Sequence, residues 1–185
     1  MDMEALQGLA PQLEMLASLE DIDENGRETL PEGYSLREFR DCAEDVAAWD
    51  RIIGESFNNP DISFDKLMLT DPQYRPERII FVCCGDEPVA TAAAWFIPDY
   101  GEDYGVIHMV GALPGYSGKK LGVTVVKAAM RKLKGEGRRF ARLKTDDFRL
   151  PAVKSYLRLG FKPLIVDANQ PDRWKRLYEI LDWRE

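Results

Sequence analysis

GYSGKKLG, residues 115–122, joins an apolar run, VIHMVGALP (106–114), to a segment with helical spacing, VTVVKAAMRKLK (123–134). Three glycines and two lysines at a strand-to-helix junction have the makings of a phosphate cradle. A helix N-terminus presents unpaired backbone N–H groups, and glycine lets a ligand approach the chain closely. Two familiar nucleotide fingerprints fail here. A P-loop requires glycine five residues before Gly118, where Leu113 stands, and Ser or Thr after Lys119, where Lys120 stands. The spacing G-x-G-x-x-G occurs nowhere in the chain. A plain turn with a solvated lysine pair is the competing reading of this stretch.

Working outward, Leu121, Val125, Ala129 and Leu133 recur four apart, with Gly122, Val126 and Met130 beside them, which predicts an amphipathic helix ended by GEG (135–137). VIHMVGALP is apolar on both alternating faces, as a strand buried centrally in a sheet requires. Before it, IIFVCC (79–84) and VATAAAWFI (89–97) flank the turn residues GDEP and predict an antiparallel hairpin. YSLREF (34–39) reads as a strand, DVAAWDRIIGESF (45–57) as a helix with Val46, Trp49, Ile53 and Phe57 on one side, and SFDKLML (63–69) as a shorter helix. After the glycine segment come a strand FARLKT (140–145) and a helix LPAVKSYLRLGF (150–161) that opens on proline and closes on Gly160. A strand FKPLIV (161–166) follows, then a helix marked by Trp174, Leu177, Tyr178 and Leu181. Leu6, Leu9, Leu13 and Leu16 predict an N-terminal helix, and the acidic EDIDENGRE (20–28) reads as a linker. Residues 1–30 are thus expected to be an appended helix and linker, and residues 31–185 one domain.

The 185 residues, 45% hydrophobic and 31% charged, suit a single globular domain. MDMEAL lacks the regions of a signal peptide, and VATAAAWFI is far below the roughly 20 apolar residues of a membrane span, so a cytoplasmic protein without membrane contact is expected. Cys42, Cys83 and Cys84 make no disulfide framework and have no metal spacing, so no metal is expected. The net charge of -7 is uneven: residues 1–60 hold 15 acidic and 4 basic side chains, whereas residues 115–162 hold 14 basic and 3 acidic. A positive segment on an acidic protein fits a compact polyanion better than a nucleic acid, which is therefore not an expected partner. A solvated helix face carrying Lys127, Arg131, Lys132 and Lys134 accounts for the same charges.

The order of these parts resembles the GNAT superfamily of N-acetyltransferases over roughly Tyr34–Phe161, and most closely from His108 to Phe161. The family's acyl-CoA loop has the form Q/R-x-x-G-x-G/A. Ser117, Gly118, Lys119, Lys120, Leu121 and Gly122 match its placement, with Ser117 in place of the Gln or Arg and Lys120 in place of the first glycine. Ala152, Tyr156, Gly160 and Phe161 match a second signature, in which alanine is followed four residues later by tyrosine and then by Gly-Phe. The resemblance implies an α/β fold of the α+β kind: a mixed, mostly antiparallel central sheet flanked by helices, with splayed central strands.

The resemblance also implies acetyl-CoA as co-substrate. Its phosphates would meet the backbone of the loop and of Val123, its pantetheine amides would meet Val110, Gly111 and Ala112, and the backbone N–H near Val110 would polarise the thioester carbonyl. It implies that Tyr156 donates a proton to the departing thiolate. With a tyrosine reference pKa near 10, the hydroxyl is protonated at neutral pH; a buried amphipathic tyrosine is the plain alternative. His108, the only histidine, shares side-chain parity with Val106, Val110 and Ala112 and occupies the place of a proton-accepting histidine in aralkylamine relatives; a satisfied core histidine is the alternative. Glu102 and Asp103 in PDYGEDYG are rival bases or an attraction for a cationic acceptor. Arg149 stands where many relatives have asparagine near the cofactor, to meet a phosphate or cap a helix. The expected activity is acetyl transfer to a primary amine of a small acceptor by direct attack, in a monomer or homodimer. Cys83 and Cys84 are not expected to be nucleophiles. The alternative is a non-catalytic acyl-CoA sensor or partner-binding module, with the N-terminal leucines as its interaction surface.

Overall fold

The computed structural model of the chain describes residues 11–26 and 28–184. Among these the chain forms seven strands and four α-helices, a mixed and mostly antiparallel α/β arrangement that falls into two compact units.

The larger unit, residues 19–141, holds β2 (Tyr34–Glu38), α1 (Ala43–Phe57), β3 (Ile79–Cys84), β4 (Glu87–Trp95), β5 (Tyr104–Ala112) and α2 (Leu121–Gly135). Its strands run in the order β2-β3-β4-β5, each antiparallel to its neighbour. The alanine-rich β4 is buried from Val89 to Trp95 because helices cover both faces of the sheet. Glycines show which helix covers which face. A Cβ on Gly111 would come within 2.7 Å of Ser56 Oγ and 2.9 Å of Ile53 Cδ1 on α1, whereas one on Gly105 would come within 2.3 Å of Leu133 on α2.

In α1 the buried residues are Asp45, Trp49, Ile52 and Ile53, so the apolar stripe is rotated from the expected one and Val46 and Phe57 are only half-buried. Asp45 holds its place in the stripe because Arg37 donates to both its oxygens (2.6 and 2.7 Å) and Arg40 N–H donates at 2.8 Å. Burial acts to raise the pKa of this carboxyl, but those donors outweigh it and hold the group below its ordinary value. The expected short helix after α1 is a single π-helical turn, Asp65–Leu69.

The acidic stretch read as a linker is instead fastened along α2. Lys134 donates to the carbonyls of Glu20 and Ile22, both at 2.7 Å, and Arg131 donates to that of Asp23 at 3.0 Å and pairs with Glu28. The positive charge of α2 is therefore largely met within its own unit, a match between residues more than a hundred positions apart.

The smaller unit, residues 11–18 with 142–184, contains β1 (Leu13–Ser18), most of β6 (Phe140–Thr145), α3 (Leu150–Arg158), β7 (Lys162–Leu164) and α4 (Gln170–Leu181), with strand order β6-β1-β7. Here the expected N-terminal helix is corrected. Leu13 and Leu16 lie in a strand, while Leu6 and Leu9 fall outside the described residues. The strand wins because Leu13, Met15 and Ala17 alternate into the core, β7 pairs with Glu14, Met15 and Leu16, and Glu14 is held by Arg142 and by Lys144 at 3.4 Å. The expected strand 161–166 is shorter than its apolar run, leaving Ile165 and Val166 exposed. No helix among the described residues is long and apolar enough to cross a membrane.

Candidate active site

β5 leads into the glycine segment through a 3₁₀ turn at Pro114–Tyr116, which Ser117 closes by donating its hydroxyl to the Pro114 carbonyl at 2.8 Å. Gly118 (φ +80°) and Lys120 (φ +60°) both adopt left-handed conformations, and Lys120 is the N-cap of α2. Such a conformation costs a lysine roughly 1–2 kcal/mol. No side chain caps α2 and its first turn contains no acid, so the leading N–H groups of Leu121, Gly122 and Val123 point outward without a capping partner. Gly122 lies inside the helix, where glycine costs about 1 kcal/mol relative to alanine. A Cβ there would meet nothing within 4 Å, and its φ is not left-handed. Neither packing nor backbone geometry therefore calls for glycine at 122. Lys119 and Lys120 are exposed.

On β5 the register slips. Ala93 faces His108 but Thr91 faces Gly111, so β5 has one residue more than β4 in the interval, a β-bulge at Met109 (φ +47°). The slip corrects the expected parity: His108 shares its face with Val106 and Gly111, and Val110 and Ala112 turn to the other. Gly111 has a packing reason to be glycine, since α1 lies against it. Ser56 Oγ donates to the Ile52 carbonyl at 2.6 Å and lies 3.1 Å from the Ala112 carbonyl oxygen.

His108 is half-buried, its ring 5.6 Å from that of Trp95. The Trp95 indole donates to Asp71 Oδ2 at 3.0 Å. Burial lowers the His108 pKa below its ordinary value, against an opposing pull from the Asp71 carboxylate. The imidazole is therefore neutral at pH 7 and able to accept a proton. Glu102 and Asp103 lie before the start of β5, about 16 Å or more of extended chain from His108. Both are engaged there: Arg138 pairs with Glu102 at 2.7 Å and Arg139 with Asp103 at 3.5 Å.

In the smaller unit, α3 carries Tyr156, 6% exposed, with its ring edge-on to Phe161 at 6.0 Å. Pro151 in the first turn starts the helix, and Gly160 (φ +86°) turns the chain out of it. The Tyr156 hydroxyl has no hydrogen-bond partner among the described residues. Burial pushes its pKa up to about 12, against the lowering effect of Arg149. Arg149 is the residue preceding α3; it pairs with Asp146 at 3.4 Å and makes no side-chain cap. Cys83 is buried, which raises its thiol pKa and keeps it protonated, as expected of a strand residue. Among the described residues no cluster of His, Cys, Asp and Glu is placed to hold a metal.

Residues 43–161, well over half of the chain and including the bulged strand, the glycine segment and Tyr156, match the model of the acetyltransferase (GNAT) family. The chain belongs to the GNAT acetyltransferase family. A mycothiol acetyltransferase of Streptomyces scabiei is 32% identical over 154 residues, which cover 80% of this chain and 49% of that protein. GCN5-related N-acetyltransferases from Sphaerobacter thermophilus (TM-score 0.65, 21% identity, 88% of this chain and 51% of that one) and Kribbella flavida (TM-score 0.59, 23% identity, 84% and 55%) share the fold. This GNAT chain spans about half the length of these relatives.

Within the GNAT frame, the departures at Ser117 and Lys120 acquire physical content. Ser117 spends its side chain on closing the turn. Lys120 takes up the left-handed conformation for which the family's pattern places glycine. The residues that sequence reasoning missed are Asp71, Trp95 and Met109. Trp95 was visible only as the end of an apolar run, Asp71 as one acid among many, and a bulge centred on methionine leaves no signature in the pattern.

Proposed function

We propose that this GNAT chain transfers the acetyl group of acetyl-CoA to a primary amine by direct attack. The observation that carries the reading is the N-terminus of α2: uncapped, free of acid in its first turn, preceded by two exposed lysines, and holding at Gly122 a helical glycine that the chain's own packing does not require. That arrangement fits a pyrophosphate approaching the backbone. Acetyl-CoA, when bound, supplies the activated acyl group and the leaving thiol.

The N–H groups of Leu121, Gly122 and Val123 bind phosphate, with Gly118 shaping the loop and Lys119 and Lys120 adding charge. The backbone of Val110, Gly111 and Ala112 pairs with amides, as in adding a strand to a sheet edge. His108 takes the proton that an acceptor ammonium must lose before it attacks, and Tyr156 donates a hydrogen bond to the leaving sulfur. A tyrosine near pKa 12 is a weaker acid than a thiol near 8.5, so this donor stabilises developing negative charge on sulfur without giving up its proton outright. Glu102 and Asp103, held by arginines at the opposite end of β5, have no part in this scheme. The name of the Streptomyces scabiei relative makes a mycothiol-type acceptor the first to try, ahead of a wider amine panel.

Two outcomes are expected. Calorimetry will detect acetyl-CoA binding that weakens as salt rises, because part of the attraction is between phosphate and exposed lysine. Absence of binding at low salt would remove the basis of the reading. In steady-state assays kcat/KM will rise with pH through a midpoint below 6.5, the direction in which burial moves His108, and His108→Gln will abolish that limb. Two acceptors of different pKa separate enzyme from substrate, since a limb belonging to the acceptor moves with it. Binding without CoA release for any amine would favour the acyl-CoA sensor.

A further inference from the structure

Asp71 is held at every polar atom the chain can reach. Its N–H donates to the Met68 carbonyl at 3.2 Å, and its carbonyl accepts from Tyr74 N–H at 2.9 Å. Its Oδ1 accepts from Gln73 N–H at 2.7 Å and its Oδ2 from the Trp95 indole at 3.0 Å. Two N–H donors, one on each oxygen, call for a carboxylate: an asparagine would turn its amide hydrogens toward one of them. Trp95, 2% exposed, is thereby fixed at the end of β4, and the His108 ring lies beside it, with ring centroids 5.6 Å apart and planes tilted by 36°. The residue across from His108 on β4 is Ala93, small enough to leave the imidazole room.

We infer that Asp71 is a positioning residue for His108: by locking the Trp95 indole it sets where the imidazole lies, and as a nearby carboxylate it supports the imidazolium that forms when His108 accepts a proton. On the same face of the sheet, α1 presents Ile53 and Ser56 near Gly111 and β4 presents Ala93 and Trp95, all uncharged, so Asp71 is the charged group that acts on His108. Burial alone would depress the basicity of His108 further. Asp71 offsets this from a position fixed by Gln73 and Trp95.

This inference deepens the proton-accepting reading of His108 and rests on it for catalytic meaning, but its test does not. His108 is the only histidine in the chain, so its ring resonances can be followed by NMR through a pH titration of the protein without substrate. Asp71→Asn is expected to lower the midpoint measurably, the direction in which loss of a neighbouring carboxylate moves it. Trp95→Phe keeps the carboxylate and a ring but removes the donor that ties them. It is expected to move the His108 resonances, broaden them, and lower kcat several-fold with little change in KM for acetyl-CoA. Asp71→Glu should recover part of the midpoint. An Asp71→Asn midpoint equal to that of the parent would overturn the inference. If that variant does not fold, Trp95→Phe decides: unchanged His108 resonances and unchanged kcat sink the idea. Should the midpoint move as expected while the kcat/KM limb stays put, Asp71 still positions His108, and the base assignment is what fails.

Discussion

Asp147→Ala is expected to destabilise the chain by about 3–5 kcal/mol, because it strands a buried guanidinium. Asp147 is 1% and the Arg173 side chain 6% exposed. Arg173 on α4 donates through Nε to Asp147 Oδ1 at 3.0 Å and through a second nitrogen to Oδ2; its remaining nitrogen donates to the Pro11 carbonyl at 2.8 Å and to Asn169 Oδ1 at 3.1 Å. One planar fork thus ties the loop after β6, the entry to β1 and the start of α4. Asp147 stands three residues before α3, so its loss should also loosen the helix that carries Tyr156. Urea unfolding measures the first effect. The second variant needed is the pair Asp147→Leu with Arg173→Met, which removes both charges. If the cost arises from an unpaired ion, the pair will be much closer to the parent than Asp147→Ala alone, since buried ion pairs are often replaceable by apolar residues at little cost. Equal losses in both would instead assign the cost to packing.

Neither partner of that pair could be singled out beforehand, which shows where sequence reading stops. Helices α1, α2, α3 and α4 were legible because each buries residues at the helical period, and strands β3, β4 and β5 because they are short, continuously apolar runs bounded by turn residues, all within a window short enough to see. β1 was misread because leucines at 6, 9, 13 and 16 also satisfy a helical spacing; the alternation of Leu13, Met15 and Ala17 prevails only once a distant strand is available to pair with it. The fourteen basic residues at 115–162 looked like a polyanion site, yet many of them meet carboxylates and carbonyls from elsewhere in the chain, leaving Lys119 and Lys120 as the exposed pair at the loop. Charge counts register such residues without their partners. In the candidate site the glycine segment stood out as a strand-to-helix junction rich in glycine and lysine, and Tyr156 through its match to the family's second signature. The bulge at Met109 was not readable, because the extra residue is defined by what stands across from it on β4, and which of Val110, Gly111 and Ala112 shares the face of His108 depends on that one residue.

Tyr156→Phe should reduce kcat by about 10²-fold or more while changing acetyl-CoA affinity only a few-fold, the pattern of an interaction made in the transition state. The substitution removes one oxygen from a residue that is 6% exposed and whose hydroxyl has no partner among the described residues, so no internal hydrogen bond is lost and thermal stability should hold or rise slightly. That separates chemistry from packing: a tyrosine retained only for its ring would give normal turnover in the phenylalanine variant. The raised pKa adds a sign that can be checked. With the hydroxyl ionising at about 12, the parent should show no alkaline loss of kcat attributable to Tyr156 below about pH 10, because the protonated donor persists throughout that range. The leaving group supplies the strictest test. If Tyr156 stabilises negative charge developing on sulfur, an acetyl thioester of a more acidic thiol needs that help less, and the penalty of Tyr156→Phe should shrink as the thiol pKa falls. A penalty independent of the thiol would mean that the hydroxyl acts elsewhere than on the leaving sulfur, and Tyr156 would lose the role assigned to it.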